Sequence, residues 1–278
     1  MRVHLCGVRG STPAPGPEFV RYGGNTSCVA LAHDDGDPTL LLDAGTGLSG
    51  VSRLMQGRPF RGAILLSHLH WDHTHGLPFF RSGDQDGAEV RLLLPAQDGA
   101  TAEDLLARAM SPPHFPITPS QLRGTWSFGD LEEGCFEIEG FQVLAREIPH
   151  KGGRTFGYRI TDGLRAIAYL SDHHPYALRP GPEGFGPYHE AALALVADVD
   201  VLIHDAQYTA TEFPERCAWG HSTIDYAVGL AEAAGAGRLV AFHHDPRRTD
   251  DELDEIGRSL GSAPMPVTLA REGQSVPL

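Results

Sequence analysis

The chain has 278 residues, 41% hydrophobic and 21% charged, enough to bury a sizeable core, and it is read as a single domain spanning residues 1–278. Its formal charge of −14, with 22 basic side chains of which only Lys151 is a lysine, includes no basic run. That excludes the electrostatic footprint of a long nucleic-acid binder, leaves a small anionic substrate as the expected partner, and leaves a homodimer open.

No apolar segment reaches membrane-spanning length, and the polar start Met1-Arg2-Val3-His4-Leu5 does not read as a signal peptide. Cys6, Cys28, Cys135 and Cys217 show no paired spacing, so the expected setting is the cytoplasm, without a disulfide frame. In chain order, Val3 to Val8 predicts a strand, followed by an irregular Gly- and Pro-rich stretch from Arg9 to Ser27. Its end, Tyr22-Gly23-Gly24-Asn25-Thr26-Ser27, offers backbone N–H groups and hydroxyls, with Asn25 a candidate substrate contact and an ordinary glycine-rich turn the plainer reading. Cys28 to Ala32 and Thr39 to Asp43 predict a hairpin, and Leu48, Val51, Leu54 and Met55 a helix closed by Gly57. Asp43 stands at a strand end, placed to support a ligating histidine.

The apolar run Ala63-Ile64-Leu65-Leu66 predicts a buried strand, and Ser-His-Leu-His-Trp-Asp-His-Thr-His-Gly follows it from Ser67 to Gly76. In extended chain, side chains two apart point the same way, so His68 and His70 can grip one ion. Asp72 and His73, where the chain turns, can reach a second. Imidazole and carboxylate donors suit zinc, and less selectively manganese or iron. His75 lies outside the pattern and reads as a partly exposed helix histidine.

A strand at Glu89 to Pro95 and a helix with capping-box spacing at Thr101-x-x-Asp104 come next. The four prolines of Ser111 to Pro119 predict a stiff, extended segment carrying His114 and Phe115, either a linker or a wall over the site. Phe136 to Ile148 predicts two strands running into Pro149-His150, and Thr155 to Leu170 a hairpin ending at Ser171-Asp172-His173-His174. Pro180 to Pro187 reads as a surface loop, Ala191 to Val196 as helix and Val199 to Ile203 as strand. Ser222-x-x-Asp225 predicts a helix start capped by Ser222, placing His221 just before free N–H groups that suit a phosphate, with Ser222 a second candidate substrate contact. The strand Leu239 to Phe242, the pair His243-His244 and a helix from Asp250 to Leu260 capped at Thr249-x-x-Glu252 close the chain. The order suggests two similar halves packed sheet to sheet, helices outside, with the site along one edge.

These motifs resemble the metallo-β-lactamase fold superfamily along nearly the whole chain. Its His-x-His-x-Asp-His pattern appears as His68, His70, Asp72 and His73, its later histidine as His150, its bridging aspartate as Asp172 and its final histidine as His243. The resemblance implies an α/β fold, the αββα sandwich of two mixed β-sheets with helices on the outer faces. It also implies two divalent metal ions, zinc before manganese or iron: His68, His70 and His150 on one, Asp72, His73 and His243 on the other, and Asp172 bridging. His244 would face away as a structural or supporting residue, a one-residue slip that makes it the ligand in place of His243 being the alternative, and His173 and His174 read as structural histidines. Trp219-Gly220-His221-Ser222-Thr223 and Gly157-Tyr158-Arg159-Ile160 resemble the ribonuclease Z and cyclic phosphodiesterase branch, in which the histidine matching His221 assists the leaving group. The implied reaction is hydrolysis of a small or cyclic phosphodiester by a metal-bridging hydroxide, with Asp72 orienting it. Alternatives are a transfer-RNA 3′-processing ribonuclease, a thioester or β-lactam hydrolase, and a non-catalytic carrier. The basic arm of ribonuclease Z has no counterpart here, which weighs against transfer RNA.

Overall fold

Apolar runs separated by Gly, Pro and Asp breaks become strands because only the pleated backbone lets alternate residues face two different apolar layers. In the computed structural model, which describes residues 1–34, 36–97, 99–174 and 188–278, these strands assemble into two seven-stranded sheets. The expected Pro180 to Pro187 loop lies outside the described residues. The first sheet contains β1 (Arg2–Gly7), β2 (Cys28–Ala32), β3 (Leu40–Leu42), β4 (Arg61–Leu65), β5 (Glu89–Pro95) and β6 (Thr125–Leu131) in spatial order. The second contains β7 (Gly134–Ile138), β8 (Phe141–Glu147), β9 (Phe156–Thr161), β10 (Ala166–Leu170), β11 (Val201–Asp205), β12 (Leu239–Phe242) and β13 (Val267–Leu269). The last strand, β14 (Ser275–Val276), returns to the first sheet beside β1.

Each sheet is antiparallel across its first three pairings and parallel across its last three. The two halves therefore repeat one arrangement, and β14 takes in the first sheet the place that β7 takes in the second. Between the sheets, Val3, Leu31, Leu42 and Leu65 meet Phe141, Tyr158, Ile167 and Phe242 in one apolar core. The alternate residues point outward. Ala30, Leu41 and Ile64 pack under α1 (Leu48–Leu54) and α3 (Ala102–Ala107), with the short α2 (Trp71–Thr74) at the sheet end. Ala168, Leu170 and Leu202 pack under α4 (Glu190–Val196) and α6 (Ile224–Ala233). The short α5 (Phe213–Arg216) and α7 (Asp250–Ser259) complete the helices, and Leu253 of α7 is buried against Ala241 and Leu269. This is the metallo-β-lactamase αββα sandwich.

The capping boxes expected at Thr101 and Thr249 are present. At α6 the cap lies one residue later than expected. Thr223, not Ser222, accepts from the Tyr226 N–H, because Tyr208 binds both neighbours, its N–H to the Ser222 carbonyl and its carbonyl to the Ile224 N–H. Three strands escape the periodicity reading. β6 is a half-exposed edge with polar residues between its aromatics, and β13 and β14 are short and defined by their pairings with β12 and β1. Among the described residues no helix is long and apolar enough to cross a membrane.

Phe141 is fully buried between the sheets. Phe141→Ala is expected to lower stability by about 3 to 5 kcal/mol through lost transfer energy and the cavity left behind, read as a lower urea midpoint with an unchanged slope.

Candidate metal centre

The parallel strands β4, β10, β11 and β12 end at one edge of the sandwich, and the chain past each end supplies polar side chains to a single cluster. His68 and His70 follow β4 in extended backbone, and α2 then turns Asp72 and His73 back toward them. His150 follows β8, Asp172 follows β10, and His243 follows β12. His243 takes a left-handed backbone, φ 60°, which turns its ring toward Asp72 while His244 turns inward to the Ala270 carbonyl, 2.9 Å away. Gly10 gives that ring its room, since a Cβ there would stand 2.3 Å from His243 Nδ1.

Two main donor sets result, and a third group, Asp172, His221 and His243, overlaps both. The first is His68, His70, His150 and Asp172, and the second is Asp72, His73 and His243, with the donor atoms of each set within 4.8 Å of one another. Asp172 divides its oxygens between them. Its Oδ2 lies 3.4 Å from His150 Nε2 and 3.8 Å from His68 Nε2, while Oδ1 lies 3.0 Å from His73 Nε2 and 3.2 Å from His243 Nε2. His70 Nδ1 and His150 Nε2 are 3.2 Å apart. Four donors held about 2.0 to 2.1 Å from one zinc stand about 3.3 Å from each other, so this spacing fits a shared ion.

The hydrogen bonding fits as well. His68 Nε2, His73 Nε2 and Asp172 Oδ1 are buried with no hydrogen-bond partner among the described residues, although oppositely charged atoms lie close by. His68 Nε2 belongs to the first donor set, and His73 Nε2 lies with Asp172 Oδ1 at the second. The opposite ring nitrogens are occupied: His73 Nδ1 donates to Asp43 Oδ2 at 2.7 Å, and His150 Nδ1 to the Gly220 carbonyl at 2.7 Å. For His150 that bond fixes the tautomer that leaves Nε2 with its lone pair, and for His73 it does so once a bound ion has displaced the Nε2 proton. Asp43, itself at φ 61°, also accepts from the Ser67 N–H and hydroxyl and from the Tyr169 hydroxyl.

Burial holds His68, His70 and His150 below the ordinary imidazole value, His150 at about 4, so these three are neutral and ready to ligate. Burial works against the charged forms of His73, Asp72 and Asp172 too, yet their mutual attraction prevails. Asp72 and Asp172 raise His73 well above the ordinary value, and the surrounding histidines hold both carboxyls well below theirs.

His221 stands beside the first set, its Nδ1 3.1 Å from Asp205 Oδ2 and 3.6 Å from Asp172 Oδ2. Burial would lower it, but Asp205, Asp172 and Asp72 raise it to about 9. The free N–H groups expected after His221 are already engaged, Ser222's by Asp205 and Ile224's by the Tyr208 carbonyl. Ser222 is fully buried with its hydroxyl on the Thr223 carbonyl, so it does not reach the cleft. Asn25 is likewise drawn away: its side chain donates to Glu272 at 2.7 Å, and its carbonyl binds Val8 and Arg9. His174 bonds the Cys217 carbonyl and His173 pairs with His204, both outside the donor sets, and His75 is exposed.

The cleft over the cluster encloses about 370 Å³ between Trp71 and Trp219, which are 69% and 59% exposed. Sequence reasoning did not single out Asp205, although an acid at a strand end was a signal, nor Ser11, whose N–H donates to Asp72 Oδ2 at 2.6 Å across the cleft wall. The Pro-rich 111–119 segment does not line this cleft.

Comparison with known proteins agrees with this geometry. The family model described as the beta-lactamase superfamily domain matches residues 39–244, a span that contains both donor sets and His221. A ribonuclease Z of Bacillus cereus is 27% identical, over 84% of this chain and 87% of its own. Among solved structures, the metallo-beta-lactamase fold protein YhfI of Bacillus subtilis superposes with a TM-score of 0.72 at 20% identity, covering 99% of each chain. A diphosphatase of the PhnP family superposes with a TM-score of 0.69 at 19% identity, covering 100% of this chain and 97% of its own. The chain therefore belongs to the beta-lactamase superfamily, as a hydrolase with the metallo-β-lactamase fold.

Proposed function

We propose that the chain is a dinuclear zinc phosphodiesterase acting on a small phosphodiester. The observation that carries the reading is the Asp172 carboxylate shared between two donor sets beside His221, whose Nδ1 is held 3.1 Å from Asp205 Oδ2. Bound divalent ions would supply Lewis acidity, polarising the phosphoryl group and making water acidic enough to attack near neutral pH. Asp72, held as a carboxylate, lies at the cleft wall where it orients the attacking water and takes its proton. As the new P–O bond forms, the bond to the leaving alkoxide breaks. His221, whose Nδ1 is committed to Asp205, presents Nε2 to the cleft and hands its proton to that oxygen. The cleft volume suits one phosphodiester rather than a polymer, and the net charge of −14 supports the same choice. Four free cysteines support a reducing, cytoplasmic setting.

The 27% identity to a ribonuclease Z favours a second reading, cleavage of a precursor transfer RNA. That reading predicts RNA binding that weakens steeply with added salt, because phosphate contacts release counterions. We expect no such binding even at low salt, and a salt-dependent complex with site-specific cleavage would replace the small-substrate reading.

Elemental analysis of the zinc-supplemented chain should find about two metals per chain, the number a two-metal hydrolase requires. Asp172→Ala should retain one or none, and chelation should lower the melting temperature of the native protein. Two metals retained in Asp172→Ala would remove the shared-carboxylate argument.

His221→Ala should lower kcat for a dialkyl phosphate, whose alkoxide needs that proton, by about 10² to 10⁴ while metal content stays constant, with a much smaller loss on bis(p-nitrophenyl) phosphate, whose phenolate leaves without one. Asp205→Asn, which keeps the shape but loses the charge that orients His221, should cost about 10 to 100-fold. Full activity of His221→Ala on the dialkyl phosphate would overturn the leaving-group assignment.

A further inference from the structure

A second cavity adjoins the metal cleft on the outer face of the first sheet. It encloses about 400 Å³, within the range of about 300 to 1,000 Å³ typical of small-molecule sites. Trp126 and Phe128 of β6 line it together with Leu105 and Met110 from the α3 region, Phe79, and Phe115 of the Pro-rich segment. That segment is thus the wall of a cavity beside the site. Among the described residues no Lys, Arg, Asp or Glu lines the cavity, and its polar side chains are Thr46, Thr74, His75 and His114.

Cavity and cleft adjoin at two features. Leu69, between His68 and His70, lines both. Trp71 on the cleft wall stacks on His75 on the cavity wall, ring centroids 5.3 Å apart and planes 20° apart. Phe79 is 68% exposed and meets Phe115 edge to face at 5.9 Å. Folding alone gives no reason to leave these aromatic faces in water around a space of ligand size. The cleft is polar and charged, and the cavity beside it is apolar and uncharged. An ester spanning both would carry its phosphate over the histidine cluster and an apolar group across Leu69.

We propose that this cavity seats an uncharged apolar arm of the phosphodiester, aromatic or long-chain, so that the enzyme acts on an ester with one large hydrophobic substituent. The inference rests on the phosphodiesterase reading above. The walls explain the choice of arm. A nucleotide arm would bring further phosphate or several base and sugar hydrogen-bonding groups into a space with no cationic side chain and few polar ones, whereas an apolar arm gains from every wall residue.

The test compares methyl p-nitrophenyl phosphate with naphthylethyl p-nitrophenyl phosphate on the zinc-loaded chain, since both release the same phenolate and differ only in the retained arm. The naphthylethyl ester should show a kcat/KM higher by about tenfold or more. Met110→Trp, which fills the cavity, and Phe79→Ala, at an exposed position that tolerates truncation, should each reduce that ratio at least about threefold, with zinc content and circular dichroism unchanged. Equal kcat/KM for the two esters, or a ratio that neither variant moves, overturns the inference and leaves the phosphodiesterase reading standing. Hydrolysis of neither ester sinks that reading and the arm with it. An unmoved ratio together with an altered sedimentation coefficient in either variant assigns the cavity to contact between copies of this chain and likewise overturns the proposal.

Discussion

Asp172 imposes the constraint that the rest of the site answers. Its carboxylate is 1% exposed, faces five imidazoles, and has one oxygen without an aligned hydrogen-bond donor among the described residues. A charge taken out of water at that depth costs several kcal/mol unless it is compensated. Asp43, Asp72 and Asp205 are buried close by, so the same demand is repeated four times within one cluster. Protons on His73 and His221 meet part of it, and the neutral His68, His70 and His150 supply lone pairs that meet none. Cations between the two donor sets would satisfy carboxylates and lone pairs together, which no rearrangement of protons can do.

The backbone concedes something to this arrangement. Ser11, Asp43 and His243 all take left-handed φ values near 60°, a conformation that L-residues adopt at some cost and that clusters at functional sites. Each has a visible return. Ser11 presents its N–H to Asp72, Asp43 stays under the His73 ring, and His243 breaks the alternation of β12 so that its ring faces the cluster. Ideal extended backbone at these three positions would satisfy local preference and leave the cluster open.

Legibility in the sequence follows the distance over which each feature is decided. His68, His70, Asp72 and His73 sit on one strand end and one short turn, so their convergence is local and the spacing alone conveys it. The boxes at Thr101 and Thr249 are local in the same way. Asn25 is settled instead by Glu272, 247 residues away, and a Gly-Gly-Asn-Thr-Ser run gives no hint of that partner. The choice between Ser222 and Thr223 as cap is made by the two bonds of Tyr208, because both hydroxyl residues satisfy the local pattern. β14 is legible only once β1 lacks a neighbour on its outer edge. Asp205 was within reach of the strand-end argument that singled out Asp172, but its role depends on meeting His221 across a turn.

Neither half of the duplicated fold carries a complete donor set. His68, His70, Asp72 and His73 come from the first sheet, and His150, Asp172 and His243 from the second. Any ion held here joins the sheets at the edge where their strand ends meet, so its binding energy is also energy of sheet packing. The interior packing of Leu42, Leu65, Tyr158 and Phe242 must therefore set the sheet separation finely enough to bring Asp172 within about 3 Å of His73, and it does so without side-chain hydrogen bonds from the three aliphatic or phenyl groups. Tyr158 and Tyr169 are the exceptions: their hydroxyls cross between sheets to the Leu66 carbonyl and to Asp43. Those two bonds tie the apolar core to the strand end and to the carboxylate that orients His73, and through them the position of the cluster is fixed by the same contacts that make the sandwich.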